Sequence, residues 1–395
     1  MEELKTYRLA DICNSIQTGP FGSQLHKSDY VEFGTPIVMP KDITNGKIND
    51  NNISRISKND VARLFKHKLV PGNIIYPRRG DIGKCALITS KEDGWVCGTG
   101  CIKVDINQQI ANSTYVMYVL CQSETVNWIE SNAVGTTMLN LNTSILSDLP
   151  IKLPSLNTQK KLAKIVSSFD KKIALNRRIN DNLEQQAQLL FDNLIDASDW
   201  STTQFLSELS EINPPRKLSK GEYAPFVEMS NMPTSGSFPS RIDYKEYNGG
   251  MKFRNGDTIM ARITPCLENG KAAYVNFLKE NEIGFGSTEY IVLAPKKTIS
   301  SSFLYFLVRN KEFVDYAVKH MNGSSGRQRV SGDTIGNYQL PILDRNKLSI
   351  FIAIADRTLS KIRQNSFEIL NLAKQRDTLL PKLMSGELKI NDLNC

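Results

Sequence analysis

The sequence has few histidines and scattered cysteines. The three histidines, His26, His67 and His320, lie far apart, and the seven cysteines show no repeated spacing. Metal sites and disulfide frameworks need ligands or cysteines at characteristic short spacings. We therefore expect neither a zinc site nor a disulfide-stabilised fold.

Long apolar runs are also missing. The richest ones, residues 303–308 and 350–355, are far shorter than the roughly 18 residues that a membrane span needs. The acidic start, Met1-Glu2-Glu3, is not typical of a signal peptide. We expect a cytoplasmic protein that does not bind a membrane.

The common catalytic motifs are absent or have the wrong spacing. Gly80-Asp-Ile-Gly-Lys84 is too short for a phosphate-binding loop. Asn213-Pro-Pro-Arg216 is similar to the loop with which amino-methyltransferases hold adenine, but Arg216 stands where an aromatic ring must stack on the flipped base. Glu268-Asn-Gly-Lys271, with Asp257 before it, does not fit the carboxylate spacing of a metal-dependent nuclease. We assign no catalytic residue and no cofactor to this chain.

What the chain does have is size and positive charge. Its 395 residues correspond to two or three structural units of about 150 residues each. Lysine and arginine number 49 against 41 aspartates and glutamates, a net charge of +8. A surplus of this size favours a polyanionic partner.

The sequence repeats itself after about 185 residues. Lys68 to Arg78 returns as Lys252 to Arg262, and Gly83-Lys84 returns as Gly270-Lys271. Further on, Gly135-Thr136-Thr137 matches Gly323-Ser324-Ser325, and Asn176 matches Asn365; because the order of these landmarks is kept, the repeat predicts two similar halves.

Each half has two textures. Residues 1–154 and 200–343 contain short apolar stretches separated by Gly, Pro and Asn clusters, which predicts two α+β globular units. Residues 155–199 and 344–395 carry apolar residues every three or four positions, and 158–196 contains neither Gly nor Pro, which predicts long amphipathic helices.

A long helix cannot bury its apolar stripe alone, and the simplest partner is the helix of the other half in an antiparallel coiled coil. Asn176 and Asn365 lie near the helix midpoints on the apolar stripes. We expect them to meet and fix the register, with two partly exposed asparagines as the open alternative.

Loops at matching places in the two halves combine glycine with basic and polar side chains. Arginine and lysine bind phosphates or guanine edges, while glutamine and asparagine read adenine. The alternative for any single residue is ordinary solvated charge. The candidate DNA-binding residues are Gln17, Thr18, Phe21, Ser23, Lys41, Arg78, Arg79 and Lys84 in the first half, and Arg262, Thr264, Lys271, Arg327, Gln328 and Arg329 in the second.

Several motifs, in this order within a repeat, make the chain resemble the specificity (S) subunit of type I restriction-modification systems. They are Thr18-Gly-Pro-Phe-Gly-Ser-Gln-Leu25, Leu149-Pro-Ile-Lys-Leu-Pro154, Ala261-Arg-Ile-Thr-Pro-Cys-Leu-Glu-Asn-Gly-Lys271, Ser287-Thr-Glu289, Arg376-Asp-Thr-Leu-Leu-Pro-Lys-Leu383 and Gly386-Glu-Leu388. One departure is that the first half has Arg79-Gly80-Asp81 where the second has Thr264-Pro-Cys266.

The resemblance implies two target recognition domains that bind the two halves of a split site on double-stranded DNA, with the helices as a ruler between them. It also implies a non-catalytic chain. Two methylation (M) subunits would supply adenine methylation with S-adenosylmethionine, and restriction (R) subunits would supply ATP- and Mg-dependent translocation and cleavage. Two alternatives are a self-contained methyltransferase or nuclease and a coiled-coil DNA-binding regulator without enzyme partners.

Overall fold

The computed structural model describes residues 4–44, 46–135, 139–324, 326–385 and 387. By its internal contacts the chain forms two units, Met1–Lys171 with Ala373–Cys395 (unit 1) and Lys172–Leu372 (unit 2). Some sequence landmarks fall outside the described residues, namely Thr136, Thr137, Ser325, Gly386 and Leu388.

Unit 1 consists of short strands and helices followed by part of a long helix. Its strands are β1 (Lys5–Arg8), β2 (Cys13–Thr18), β3 (Tyr30–Val31), β4 (Thr35–Val38), β5 (Ile43–Thr44), β6 (Lys47–Ile48), β7 (Arg55–Ile56), β8 (Asn73–Pro77), β9 (Ala86–Leu87), β10 (Val96–Cys97), β11 (Cys101–Ile106) and β12 (Pro150–Leu153). Its short helices are α1 (Lys58–Arg63), α2 (Ser113–Leu120), α3 (Ser123–Asn132) and α4 (Thr143–Ser147). The long helix α5 (Leu156–Asp196) follows, and its residues up to Lys171 belong to unit 1.

Unit 2 repeats this plan. Its strands are β13 (Thr203–Phe205), β14 (Ser210–Ile212), β15 (Tyr223–Val227), β16 (Asp243–Glu246), β17 (Lys252–Phe253), β18 (Thr258–Ala261), β19 (Ala272–Tyr274), β20 (Gly284–Gly286), β21 (Tyr290–Pro295) and β22 (Gln339–Pro341). Its short helices are α6 (Leu206–Leu209), α7 (Ser301–Arg309), α8 (Lys311–Lys319) and α9 (Gly332–Gly336). The second long helix, α10 (Arg345–Met384), belongs to unit 2 up to Leu372.

The two units share their sheet topology. Unit 1 has an antiparallel sheet in the order β2-β11-β8-β9, and unit 2 has one in the order β14-β21-β18-β19. Each unit also has a four-stranded sheet that contains one parallel pair, β4 with β10 and β15 with β20. The α+β class and the repeat predicted from the sequence are therefore confirmed.

The long helices are also confirmed, and within unit 2 they run antiparallel. Phe191 of α5 contacts Phe351 of α10 with ring centroids 5.5 Å apart, and Phe303 of α7 at 5.1 Å. Burying one such aromatic side chain contributes about 1.5–3 kcal/mol. The apolar stripe of α5 is thus covered both by α10 and by the globular part of unit 2.

The two stripe asparagines have partners other than the predicted ones. Asn176 and Asn365 are 2% and 3% exposed, so the alternative of partial exposure is wrong. The amide of Asn176 donates to Glu368 (2.8 Å), and that of Asn365 donates to Asn180 (2.8 Å). The antiparallel register brings residue 176 level with 368 and residue 180 level with 365, which offsets the two asparagines instead of letting them face each other.

The Asn180–Asn365 pair leads to a prediction. Asn365→Leu removes the donor to Asn180 and should lower the free energy of unfolding by about 1–3 kcal/mol, because a polar group is left unpaired in the helix interface. Asn180→Leu combined with Asn365→Leu should recover part of this loss, because both amides are replaced by apolar surface while the Ser366 hydroxyl loses its contact with Asn180 Nδ2 (3.3 Å). Denaturant unfolding of the full chain measures both variants.

Asn182→Leu is the matched control, since Asn182 is exposed on the same helix. Its free energy of unfolding should change by less than about 0.5 kcal/mol. The buried-pair interpretation is contradicted if the double variant is no more stable than Asn365→Leu.

Candidate nucleic-acid interface

In unit 1 the loops that carry the candidates of residues 17–24 and 78–84 (the reader loops) meet where strands of the β2-β11-β8-β9 sheet end or begin. This end of the sheet is the reader edge. Strands β2 and β8 end there, and β11 and β9 begin there, because neighbouring strands alternate in direction. The loops after Thr18 and after Pro77, and the one before Cys101, therefore converge.

Close backbone contacts hold these loops together. Arg78 N–H donates to Gly100 O (2.6 Å), and the Thr99 hydroxyl donates to Pro20 O (2.8 Å). A Cβ atom at Gly19 would lie 2.0 Å from Gly98 O. Glycine is required there because only a residue without a side chain allows such an approach.

The candidate residues of unit 1 differ in how free they are. Arg79 is exposed, whereas Arg78 is half-buried with its Nε 3.4 Å from Leu141 O. Lys84 forms an ion pair with Asp81 (2.6 Å). The remaining candidates are the half-buried Gln17 and Thr18 and the exposed Phe21, Ser23 and Lys41.

Unit 2 has the equivalent edge. Strands β14 and β18 end there, and β21 and β19 begin there. Arg262 N–H donates to Glu289 O (3.0 Å), Val330 N–H to Arg262 O (3.0 Å), and Thr264 N–H to Gln328 O (3.1 Å). The loops after Ala261 and before Val330 are thereby joined, although the sequence places them far apart.

Arg262 and Arg327 are the freer cations of this edge. Arg327 is exposed and Arg262 is half-buried. Within the described part of the chain, the buried Nε of Arg262 has no hydrogen-bond acceptor. Leaving a buried donor unpaired costs about 1–3 kcal/mol.

The other candidates of unit 2 are engaged within the protein. The Lys271 ammonium donates to Met229 O (2.7 Å), and Arg329 forms an ion pair with Glu289 (2.7 Å). Thr264 Oγ1 lies 3.9 Å from the Met321 sulfur, and Gln328 is half-buried. The structure therefore brings all six candidates to one edge but leaves them unequally available.

Both edges are held by the same set of backbone hydrogen bonds and β-bridges, which we call the frame. Leu141 N–H donates to Arg78 O (2.8 Å) in unit 1, as Val330 N–H donates to Arg262 O in unit 2. Arg79 forms an isolated β-bridge with Asn140, as Ile263 does with Arg329. The repeat detected in the sequence is thus a repeat of this frame.

Glu289 also lies at this edge, although the choice of basic and polar loop residues in the sequence did not include it. Its carboxylate accepts from Arg329, whose guanidinium holds the pKa of Glu289 below its usual range. A lowered carboxyl pKa means that the pair stabilises the fold at neutral pH and is lost as the pH falls toward that lowered pKa. The motif Ser287-Thr-Glu289 was the only sequence signal for it.

Arg216 and Asp257 have structural roles instead of catalytic ones. Arg216 Nη2 lies 2.7 Å from Asp257, with side chains 9% and 1% exposed. Asp257 also accepts from Arg254 N–H (2.8 Å). The arginine that stands in place of a base-stacking aromatic is therefore the counterion of a buried carboxylate.

The described residues contain neither a cluster of metal ligands nor a membrane-spanning helix. Among them, no group of three or more His, Cys, Asp or Glu side chains is arranged to hold a metal ion. Over the same residues, every helix is too short or too polar to cross a bilayer.

Comparison with known families gives a match over both halves. A profile described as "Type I restriction modification DNA specificity domain" matches residues 1–185 and again residues 198–347. These two segments cover most of the chain and follow the two halves of the repeat.

Individual relatives agree with this match. The chain is 26% identical over 404 residues to the "Type I restriction enzyme MjaIX specificity subunit" of Methanocaldococcus jannaschii, covering 91% of this chain and 88% of that protein. It is 29% identical over 204 residues to the "Type I restriction enzyme EcoAI specificity subunit" of Escherichia coli, covering 49% of this chain and 34% of that relative. The crystal structure of a type I restriction-modification S subunit from M. genitalium has a TM-score of 0.62 at 18% identity, covering 97% and 96% of the two chains, which establishes a shared fold.

The structural role of the buried Arg216–Asp257 ion pair can be tested by mutation. Arg216→Met should lower the free energy of unfolding by about 3–5 kcal/mol, because it leaves the Asp257 carboxylate buried without its counterion. Denaturant unfolding measures the loss.

Arg241→Met is the control, since the Arg241–Asp243 pair has the same chemistry with the arginine 71% exposed. Its effect should stay below about 1 kcal/mol. If Arg216→Met lowers the free energy of unfolding by as little as Arg241→Met does, Arg216 is not a structural residue.

Proposed function

Because the chain belongs to the type I restriction modification DNA specificity family, we propose that it is the DNA-recognition subunit of a type I restriction-modification complex in the cytoplasm. It binds a bipartite site on double-stranded DNA, one half per recognition domain. Residues 1–154 and 200–343 are the two recognition domains, and the helical segments 155–199 and 344–395 set the number of unread base pairs. Two methylation subunits carry out adenine methylation and restriction subunits carry out cleavage, directed by this chain.

The observation that carries this proposal is the repeated frame with an exposed arginine at each copy. Arg79 lies beside the frame of unit 1, and Arg327 lies in the loop that the frame of unit 2 holds. Both side chains are exposed. Two similar edges with different side chains suit a site whose halves have different sequences.

The chemistry of both edges is that of binding. Arginine guanidinium groups donate in pairs to guanine O6 and N7 or to phosphate oxygens. Glycines such as Gly19 let two of these loops touch, and an exposed phenylalanine such as Phe21 suits contact with a thymine methyl or a sugar. Methyl transfer and strand cleavage are then the work of the partner subunits.

Half-site specificity provides the test. Arg79→Ala should relax base preference in one half of the site, and Arg327→Ala in the other half, because each arginine belongs to one recognition domain. A lost base contact costs about 1–3 kcal/mol, roughly 5- to 150-fold in preference. Sequencing of adenine methylation on a DNA library, with the chain assembled with its methylation subunits, measures each position.

Lys91→Gln and Lys297→Gln are the controls. Both lysines are exposed, and they follow strands β9 and β21 at the ends away from the reader edges. They should leave both half-sites unchanged. If either arginine variant alters both halves together, the assignment of one half-site to each domain is wrong.

Salt dependence separates phosphate contacts from base contacts. The affinity of the assembled complex for DNA should fall as salt rises, with a log–log slope of about −0.9 per phosphate contact. We propose that Lys41 binds a phosphate. Lys41→Gln should then reduce the magnitude of the slope by about one, with little change in base preference. Fluorescence anisotropy between 50 and 200 mM salt, about the range over which such losses are large, measures this. An unchanged slope would remove Lys41 from the interface.

A further inference from the structure

Glu289 contacts both reader loops of unit 2. Its backbone carbonyl accepts from Arg262 N–H (3.0 Å). Its carboxylate accepts from Arg329 Nε at 3.0 and 2.9 Å and from Arg329 Nη2 at 2.7 Å. One residue thus ties the loop after β18 to the loop that precedes α9.

These contacts fix the orientation of the Arg329 guanidinium, whose side chain is 38% exposed. Its Nη1 donates to Arg327 O (3.0 Å), so all three of its nitrogens have acceptors within the protein. Bidentate pairing with a carboxylate is among the strongest side-chain hydrogen-bond arrangements and fixes orientation as well as distance. Three of the five N–H groups of the guanidinium are thereby used within the protein.

The loop between Asn322 and Arg329 needs such an anchor. Asn322 and Arg329 exchange both backbone hydrogen bonds (2.9 Å each) and so close the loop. Inside it, Gly323 and Gly326 have positive φ, which glycine adopts at little cost. Because glycine also has many other accessible conformations, ordering this part of the chain costs conformational entropy. Arg327 lies in this loop with its side chain exposed.

Unit 1 has the same frame without the ion pair. Arg78 N–H donates to Gly100 O there, and Asn140 takes the bridge position that Arg329 has in unit 2. Glycine and asparagine cannot form a salt bridge. The pair is therefore an addition to the common frame in the second recognition domain.

We propose that Glu289 and Arg329 are positioning residues that hold Arg327 and Arg262 in the arrangement in which these two arginines read the second half-site. This inference rests on the proposed function and replaces the expectation that Arg329 contacts DNA. The carboxylate also neutralises Arg329, which leaves Arg262 and Arg327 as the cations that face the DNA.

Exchanging the two partners separates positioning from direct reading. Glu289→Gln and Arg329→Gln should each reduce preference for the second half-site about tenfold, while the first half-site is read as before. Glu289→Arg combined with Arg329→Glu restores an ion pair with its charges exchanged and should recover preference to within about threefold of the unmodified chain. The measurement is adenine-methylation sequencing on a library of single-base variants, with the chain assembled with its methylation subunits.

Two results would overturn the inference. If the exchanged pair is as defective as Arg329→Gln while the first half-site is still read, Arg329 itself contacts a base. If Glu289→Gln leaves the second half-site unchanged, the pair does not position the loop. Normal reading of the first half-site shows in each case that the variant has folded and assembled.

Hydrogen exchange on the full chain without DNA is an independent measurement. It tests the inference even if the variant with exchanged charges, Glu289→Arg with Arg329→Glu, folds poorly. Glu289→Gln should speed exchange of the Thr264 and Val330 amides, which bond across the two loops, and leave that of Leu141 in unit 1 unchanged. Unchanged protection of Thr264 and Val330 would overturn the inference. Failure of the proposed function is distinct, because the unmodified complex would then show no two-part methylated motif.

Discussion

Each long helix carries an apolar stripe that it cannot bury by itself, and the fold of both units depends on covering that stripe. In unit 2, Phe191 packs against α10 and α7 together, and Glu184 of the same helix accepts a hydrogen bond from Tyr305 of α7. In unit 1, Leu162 and Val166 of α5 share a core with Leu383 of α10. The globular part of each unit is therefore packed directly onto the helices, and its sheet edge is held by the same core.

Polar contacts in unit 1 follow the same scheme. Asp170 of α5 accepts from Tyr118 of α2 and pairs with Arg376 of α10 at 2.6 Å. A single carboxylate thus joins a long helix, its antiparallel partner and the globular part. Apolar packing supplies most of the free energy in both units, while such hydrogen-bonded carboxylates specify one orientation, since a displaced helix would leave them unpaired.

The reader edges separate a common frame from variable chemistry. The frame consists of backbone hydrogen bonds, which any residue except proline can donate, and of glycines where two loops touch, as at Gly19. Side chains on the frame are free to differ, and they do: Gly100 and Asn140 in one copy correspond to Glu289 and Arg329 in the other. Two domains of one fold can in this way recognise two different DNA sequences.

Much of this was predictable from the sequence alone. The order of landmarks determined the repeat, apolar spacing without Gly or Pro determined the long helices, and residue type determined a basic, glycine-rich set of loops. The tertiary structure decided which cations stay free. Arg329 meets Glu289, and Arg216 meets Asp257, across separations of 40 and 41 residues. It also decided that Asn365 pairs with Asn180 and not with Asn176, because helix register depends on how side chains interdigitate. The physical reason is common to these cases: a hydrogen bond or ion pair depends on angstrom distances and on exclusion of water, and folding sets both between residues that the sequence keeps far apart.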